Sequence, residues 1–419
     1  MTTISKQLVL LLILLLGIFT SCSNDDDAIS GGQQRDPIVT AEDLSAYLEH
    51  LANTNAVPGF SVNVSLGNTI AFQESFGYAN IANQTPYTNQ TLNNLASVSK
   101  TFLGAATAKA IEQGYFTLET NINDVLPVAV INPKQPNGSI KIKHLVTHTS
   151  GIVDVPSTYV ASNYYILPGE DVTTSIGSIL VNDLGMQQMQ QVALGDYLLE
   201  IFDEDGDLYN LDNYLDALPG ETWAYSNDAT TLLGYIIEYV SGESYDDYVA
   251  NHILNPLQMF NSTFDMDAVN FQIMATQYYD ANSAFPRYGN HGYVEGGLHS
   301  NSDDMSKYLL DMMRGARGES GVLFSETYYD LLFEEQLADG IVPHQFAENH
   351  GLFWYMKDGN LMHGGNSLGV STHLQLRQDG SSGFFIISNM DGTFNENDIK
   401  WETVKTGISD AIEEFISNN

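Results

Sequence analysis

The sequence predicts an α+β fold in which an antiparallel sheet is flanked by helices and a mostly helical lobe is inserted into it. Three observations carry this. Short alternating or apolar runs bounded by turn residues lie near both ends of the chain. The stretch between them is rich in helical periodicity and loops, and the last residues form an amphipathic helical pattern. Strands at both ends around a helical centre describe one discontinuous unit, not two beads in series.

Taken in order, Thr40 can cap a helix from Ala41 to Ala52, with Leu44, Leu48 and Leu51 on one face. Phe60 to Val64 alternates like a strand, and Gly67-Asn68 turns it into Ile70 to Phe76 as a hairpin. Near the other end, Leu352 to Met356, Asn360 to Met362, Val370 to Leu376 and Phe384 to Ser388 read as strands. Asp-Gly or glycine-rich turns separate them. A closing helix from about Asp398 to Ile416 carries Val404, Ile408, Ile412 and Ile416 four residues apart. The expected organisation is a domain over 40–419. One lobe comes from about 40–120 and 345–419, and a helical lobe comes from about 121–344.

The N-terminus reads as an export device. Lys6 and the apolar run Leu8 to Ile18 make a signal segment too short to span a bilayer comfortably. Phe19-Thr20-Ser21-Cys22 resembles a lipoprotein processing site, so residues 1–21 would be removed and Cys22 lipidated. Residues 22–39 then form a polar, acidic tether. The run Ser23 to Asp27 resembles the acidic export signal of surface lipoproteins in one group of double-membraned bacteria. The expected location is the outer membrane, facing either the periplasm or the surface. Cys22 is the sole cysteine, so no disulfide is expected. Lys and Arg number 15 against 52 Asp and Glu, a formal charge of -37. Such a surface repels nucleic-acid phosphates and anionic lipid heads, which leaves the lipid anchor as the only expected membrane contact.

Three stretches could carry chemistry. Ser97-Val98-Ser99-Lys100 opens the apolar helical stretch Phe102 to Ile111. A serine at a helix N-terminus sits where free N–H groups favour a developing negative charge, and a lysine three residues later lies one turn along on the same face. Lysine, with an ordinary pKa of about 10.4, needs burial or a neighbour to serve as a base. About one Ser-x-x-Lys match is expected by chance in a chain of this length, so the spacing alone is weak, and a surface lysine is the bland alternative. Next, Tyr225-Ser226-Asn227 follows the turn Leu218-Pro219-Gly220-Glu221 and precedes the apolar helix Leu232 to Val240. A phenol there can relay protons with lysine, and the amide can hold lysine or a substrate amide. Tyr78 with Asn80, Tyr87 with Asn89 and Tyr288 with Asn290 share the spacing but lack the setting, and read as caps. Third, His363-Gly364-Gly365-Asn366 ends a predicted strand, with Gly369 after it. Its glycines would leave a strand edge bare for a substrate backbone.

The order Ser-x-x-Lys, Tyr-x-Asn, His-x-Gly resembles the family of class C β-lactamases, D-alanyl-D-alanine carboxypeptidases, D-aminopeptidases and related esterases. Ile142 to Gly151, with its Leu145-Val146-Thr147-His148-Thr149-Ser150-Gly151, is similar to that family's Leu-Leu-Thr-His-Thr-Ser-Gly signature. The resemblance covers roughly residues 41 to 415 and implies a β-lactamase/transpeptidase-like fold. It implies Ser97 as the acylated nucleophile, Lys100 as general base, and Tyr225 as the group that protonates the leaving group. It also implies Asn227, His363 and Gly365 at the substrate, and an oxyanion hole from the N–H groups of Ser97 and Asn366. Efficient β-lactamases carry lysine where this chain has His363, so the resemblance points to the peptidase and esterase branches. The implied activity is serine hydrolysis of D-amino-acid peptides, cell-wall fragments or small esters and amides. A β-lactamase, or a penicillin-binding surface protein without turnover, are the rivals.

No metal or organic cofactor is expected. His144 and His148 stand four apart but lack the glutamate of a zinc-protease motif, so packing or hydrogen bonding is the better reading. Asp203 to Asp207 places its glycine wrongly for a calcium loop and reads as a solvated acidic turn. The expected partner is a small-molecule or peptide substrate, and the oligomeric state is left open.

Overall fold

The computed structural model describes residues 36–55, 57–391 and 396–419. The signal segment 1–21, Cys22 and the tether up to residue 35 lie outside the described residues.

Along the chain, helix α1 (Ala41–Asn55) leads into strands β1 (Gly59–Leu66), β2 (Thr69–Asn80) and β3 (Thr85–Pro86). Helices α2 (Ser99–Glu112), α3 (Asn227–Ser241) and α4 (Ser302–Ala316) are the longest of the central region. Strands β4 (Asn349–His350), β5 (Tyr355–Lys357), β6 (Asn360–Ser367), β7 (Val370–Arg377) and β8 (Ser382–Ser388) then precede helix α5 (Glu396–Asn418). One eight-stranded antiparallel sheet takes the order β4-β5-β6-β7-β8-β1-β2-β3. It closes on the pairing of β1 with β8, from Phe60 opposite Ser388 to Leu66 opposite Ser382. The two ends of the chain therefore share one sheet.

Sequence explains the layers. Thr40 caps α1, its Oγ1 accepting the Asp43 N–H at 3.1 Å. Strand β8 is buried along its whole length, because both faces of the sheet are covered. Phe384 and Ile386 point into an outer layer with Leu44 and Leu48 of α1 and Trp401, Val404, Ile408 and Ile412 of α5. Phe385 and Ile387 point the other way, into the larger core built on α2, α3 and α4. Burying one such side chain contributes about 1.5–3 kcal/mol, so a run apolar on both faces specifies a central strand. Helix α2 is buried nearly all round, as a helix at the centre of a core must be.

Two strands differ from expectation. The run Leu352 to Met356 is strand only from Tyr355. Phe353 turns left-handed with φ 59°, and the Gly351 N–H bonds the Trp354 carbonyl at 2.8 Å. Leu352, Phe353 and Trp354 are fully buried, so their apolar character reflects core packing and not a pleat. Conversely, β6 runs five residues past Met362 to Ser367, because β7 pairs with it along its whole length. The ladder overrides the weak strand propensity of two glycines. The central region also holds a small sheet of Tyr164–Ile166, Gln187–Gln188 and Tyr288–Asn290, whose strands are too short for periodicity to reveal. Among the described residues no helix is long and apolar enough to cross a membrane.

Candidate active site

Ser97 lies in a 3₁₀ turn, Ala96–Val98, that runs directly into α2. The residue before it, Ala96, is left-handed with φ 46°, a conformation that costs a non-glycine residue about 1 kcal/mol or more. Asn94 holds it there. Its Oδ1 accepts the Ala96 N–H at 2.8 Å while its Nδ2 donates to the Gly296 carbonyl at 2.9 Å. The backbone is thus bent so that the Ser97 side chain stands at the floor of a cleft of about 830 Å³.

Lys100, one turn along, is fully buried and not a surface lysine. Its Nζ donates to Ser97 Oγ at 3.2 Å, Asn227 Oδ1 at 2.7 Å, the Glu295 carbonyl at 2.7 Å and Glu295 Oε2 at 3.3 Å. Burial pulls the Lys100 ammonium below its ordinary value, while the charges of Glu295 and Asp154 push back. A lysine so placed is closer to a usable base than one in water.

Tyr225 arrives from the other side, its hydroxyl donating to Ser97 Oγ at 2.9 Å. The Lys100 Nζ sits 4.9 Å from the centre of its ring. Burial drives the Tyr225 phenol well above its ordinary value, so it holds its proton at neutral pH. The motif ends in the N-terminus of α3: Ser226 caps the helix through the Ala229 N–H, and Asn227 is its first residue. Buried Asp154 anchors that terminus, accepting the N–H groups of Asn227 and Asp228 and the Ser226 hydroxyl within 2.9–3.0 Å. Burial raises both the Asp154 and Asp228 carboxyls, and the nearby Asp154 raises Asp228 further.

The third motif lies inside β6 and not at a strand end. A Cβ on Gly365 would come within 2.8 Å of the Ser97 nitrogen and 2.7 Å of the Leu95 carbonyl oxygen. This glycine serves a close approach between β6 and the turn carrying Ser97, more than a bare edge for substrate. Asn366 and Ser97 both line the cleft, from neighbouring segments. His363, which the resemblance places at the substrate, is not among the residues that line the cleft. Its side chain is buried, its Nδ1 lies 2.6 Å from the Gly364 carbonyl, and its ring packs 4.9 Å from Tyr355. Burial and the nearby Lys100 pull its pKa down to about 3, so it is neutral and offers no charge to a carboxylate.

In the signature stretch, His144 Nδ1 accepts the Lys141 N–H at 3.1 Å. His148 Nδ1 accepts the Ser226 N–H at 3.3 Å, and its ring packs 4.5 Å from that of Tyr225. The first closes the N-terminus of the short helix Ile142–Val146, and the second positions the Tyr225 turn. Asp203, Glu204, Asp205 and Asp207 are exposed. Tyr288 and Asn290, read as a cap from sequence, instead line the cleft beside Glu295. Glu295 and Asp154 also escaped sequence reading. They lie 195 and about 72 residues from the groups they contact, and no motif marks them. The cleft is lined by no lysine or arginine among the described residues, and its carboxylates are Asp154 and Glu295.

Comparison with known proteins identifies the family and the fold. A sequence model of the family described as Beta-lactamase matches residues 44–406. Protein flp of Staphylococcus aureus (strain MW2) is 26% identical over 242 residues, which cover 56% of this chain. The matched stretch spans only 42% of that relative's length. The fold resembles the octameric penicillin-binding protein homologue from Pyrococcus abyssi, with TM-score 0.65 and 21% identity, covering 83% of this chain and 73% of that one. It also resembles the D-amino acid amidase from Ochrobactrum anthropi SV3, with TM-score 0.64 and 18% identity, covering 88% of this chain and 99% of that one.

Proposed function

Since the chain belongs to the β-lactamase family, whose members are serine hydrolases, we propose that it hydrolyses its substrate through an acyl-enzyme on Ser97. One observation carries this: Ser97 Oγ receives hydrogen bonds from both Lys100 Nζ and the Tyr225 hydroxyl at the floor of the cleft. Lys100 in its free-base form takes the Ser97 proton as Oγ attacks the carbonyl carbon. The carbonyl oxygen gathers negative charge against the N–H groups of Ser97 and Asn366. Tyr225 gives its proton to the leaving group and recovers one from Lys100. Water then cleaves the ester by the reverse proton path. Asn227 keeps Lys100 in place through its Oδ1 and leaves its amide N–H groups for the substrate.

The substrates proposed are D-amino-acid peptides, cell-wall fragments or small esters and amides. A cleft lined by no lysine or arginine among the described residues supports substrates that lack a carboxylate beside the scissile bond. The same feature weighs against a dedicated β-lactamase. We further propose that Cys22 carries a lipid anchor that holds the exported domain at the outer membrane, with no nucleic-acid partner.

Covalent trapping tests the chemistry. A fluorophosphonate should phosphonylate Ser97 alone, with loss of fluoride, and mass spectrometry of the digest should place the adduct there. Ser97→Ala should abolish labelling and ester hydrolysis together. An adduct on another serine, or full activity in Ser97→Ala, removes the mechanism. Trapping by a β-lactam with negligible release would instead favour a penicillin-binding protein without turnover.

A further inference from the structure

The cleft holds a carboxylate that the hydrolytic scheme does not use. Glu295 lies in a short turn, Tyr293–Glu295, packed against α3 at Gly234, where a Cβ would come 2.5 Å from the Val294 methyls. Its side chain is 5% exposed and faces the cleft. Three groups from two segments, the helix Pro156–Asn163 and the strand Tyr288–Asn290, converge on one oxygen: Oε1 accepts the Tyr159 hydroxyl at 2.8 Å, Asn290 Nδ2 at 3.0 Å and Asn163 Nδ2 at 3.3 Å. The other oxygen is left for Lys100 Nζ, which the Glu295 carbonyl also holds. One residue therefore grips the lysine through its main chain and its side chain. A buried carboxylate is costly unless paired, and here the arrangement spends three neutral donors to aim the remaining oxygen at a single cation.

We propose that Glu295 is a positioning residue for Lys100: its braced carboxylate orients the ammonium toward Ser97 and keeps it charged in the resting protein. Free base then forms only as pH rises, and activity follows it. Other groups near the pair leave this titration readable. The Asp228 carboxyl is raised by burial and by the nearby Asp154, and the His148 and His363 imidazoles are pulled down by burial. The phenols of Tyr159, Tyr164, Tyr197, Tyr225 and Tyr288 are all raised by burial and stay protonated. Asp154, also raised, pairs with helix N–H groups.

The test titrates Lys100 directly in the full chain, by NMR of isotope-labelled lysine Cε, with the resonance assigned by its loss in Lys100→Met. In Glu295→Gln the midpoint should fall by about one to three pH units, the usual effect of removing an opposite charge at this distance. The pH profile of fluorophosphonate labelling at Ser97 should shift by the same amount. Tyr159→Phe keeps the charge but loosens the brace, so it should lower the labelling plateau severalfold with a much smaller midpoint shift. It remains a test of bracing if Glu295→Gln does not fold. An unmoved Lys100 midpoint in folded Glu295→Gln, or an unchanged plateau in Tyr159→Phe, overturns the proposal. The inference rests on the serine-hydrolase reading only for its labelling arm. Absence of any label in the unmodified protein would sink that reading, while the NMR titration would still decide the role of Glu295.

Discussion

The Tyr225 hydroxyl reaches Ser97 Oγ at 2.9 Å across 128 residues of chain. That contact joins the N-terminus of α3 to the turn before α2, so two helix starts meet at one oxygen. Because the phenol keeps its proton, the proposed mechanism uses it as a donor to the departing group and not as the first base. Tyr225→Phe should slow acylation by about 10²–10⁴-fold, the usual range for losing one proton-transfer group. Thermal stability should change little. Stopped-flow ester hydrolysis checks this, and an unimpaired rate would leave Tyr225 as scaffolding.

Lys100→Met should suppress acylation more severely than Tyr225→Phe while preserving the fold, since the thioether chain fills the lysine stem's space. It would also leave Glu295 without its cation. That cost should appear as a lower Tm that Glu295→Gln partly restores in the double variant. Strict additivity of the two melting shifts would mean the pair is not coupled.

Gly365→Ala places a methyl group where the Ser97 nitrogen and the Leu95 carbonyl already stand. With Thr372 Oγ1, the Leu95 carbonyl oxygen and the Ser97 nitrogen all within 2.8 Å, β6 or the turn carrying Ser97 must shift. Acylation should drop by at least about 10²-fold, as catalysis tolerates little misplacement. The measurement is labelling rate against circular dichroism, and a folded variant with normal rate contradicts the close-approach account.

Buried histidines should make the fold acid-labile. His299, His350 and His373 are pulled by burial to about 4 and His363 to about 3. Their unfolded value is near 6.5, so below it the unfolded chain binds more protons than the native one. Their contribution is complete above about pH 6.5 and is lost as pH falls toward 4, at up to about 1.4 kcal/mol per pH unit for each histidine. Asp228, raised by burial, works in the opposite sense and softens the slope. Urea unfolding at pH 7 and pH 5 should give a clearly smaller free energy at pH 5, and His373→Asn should reduce the difference. Equal stabilities would show that these imidazoles are not buried in solution.

Cys22→Ser should move the protein from the membrane pellet to the soluble exported fraction, because the proposed attachment depends on one residue. A variant that still pellets and resists salt washing would exclude the lipoprotein reading.

How much was legible in sequence follows from the range of each signal. The α+β class, the hairpin β1–β2, strands β7 and β8 and the closing helix are written in local periodicity, which needs only a few residues to express a face. Ser97 and Lys100 are legible together because helix geometry converts a spacing of three into one turn. Tyr225 is legible because its turn and cap are local. The neutral state of His363, the left-handed Ala96, the extension of β6 and the roles of Asp154 and Glu295 are not. Each depends on groups brought in from distant parts of the chain, and burial, which shifts pKa and selects backbone strain, exists only once the core has closed. The sequence by itself determined which residues could carry the chemistry. The tertiary structure decided their charge, because desolvation and pairing are properties of a packed site and not of a chain.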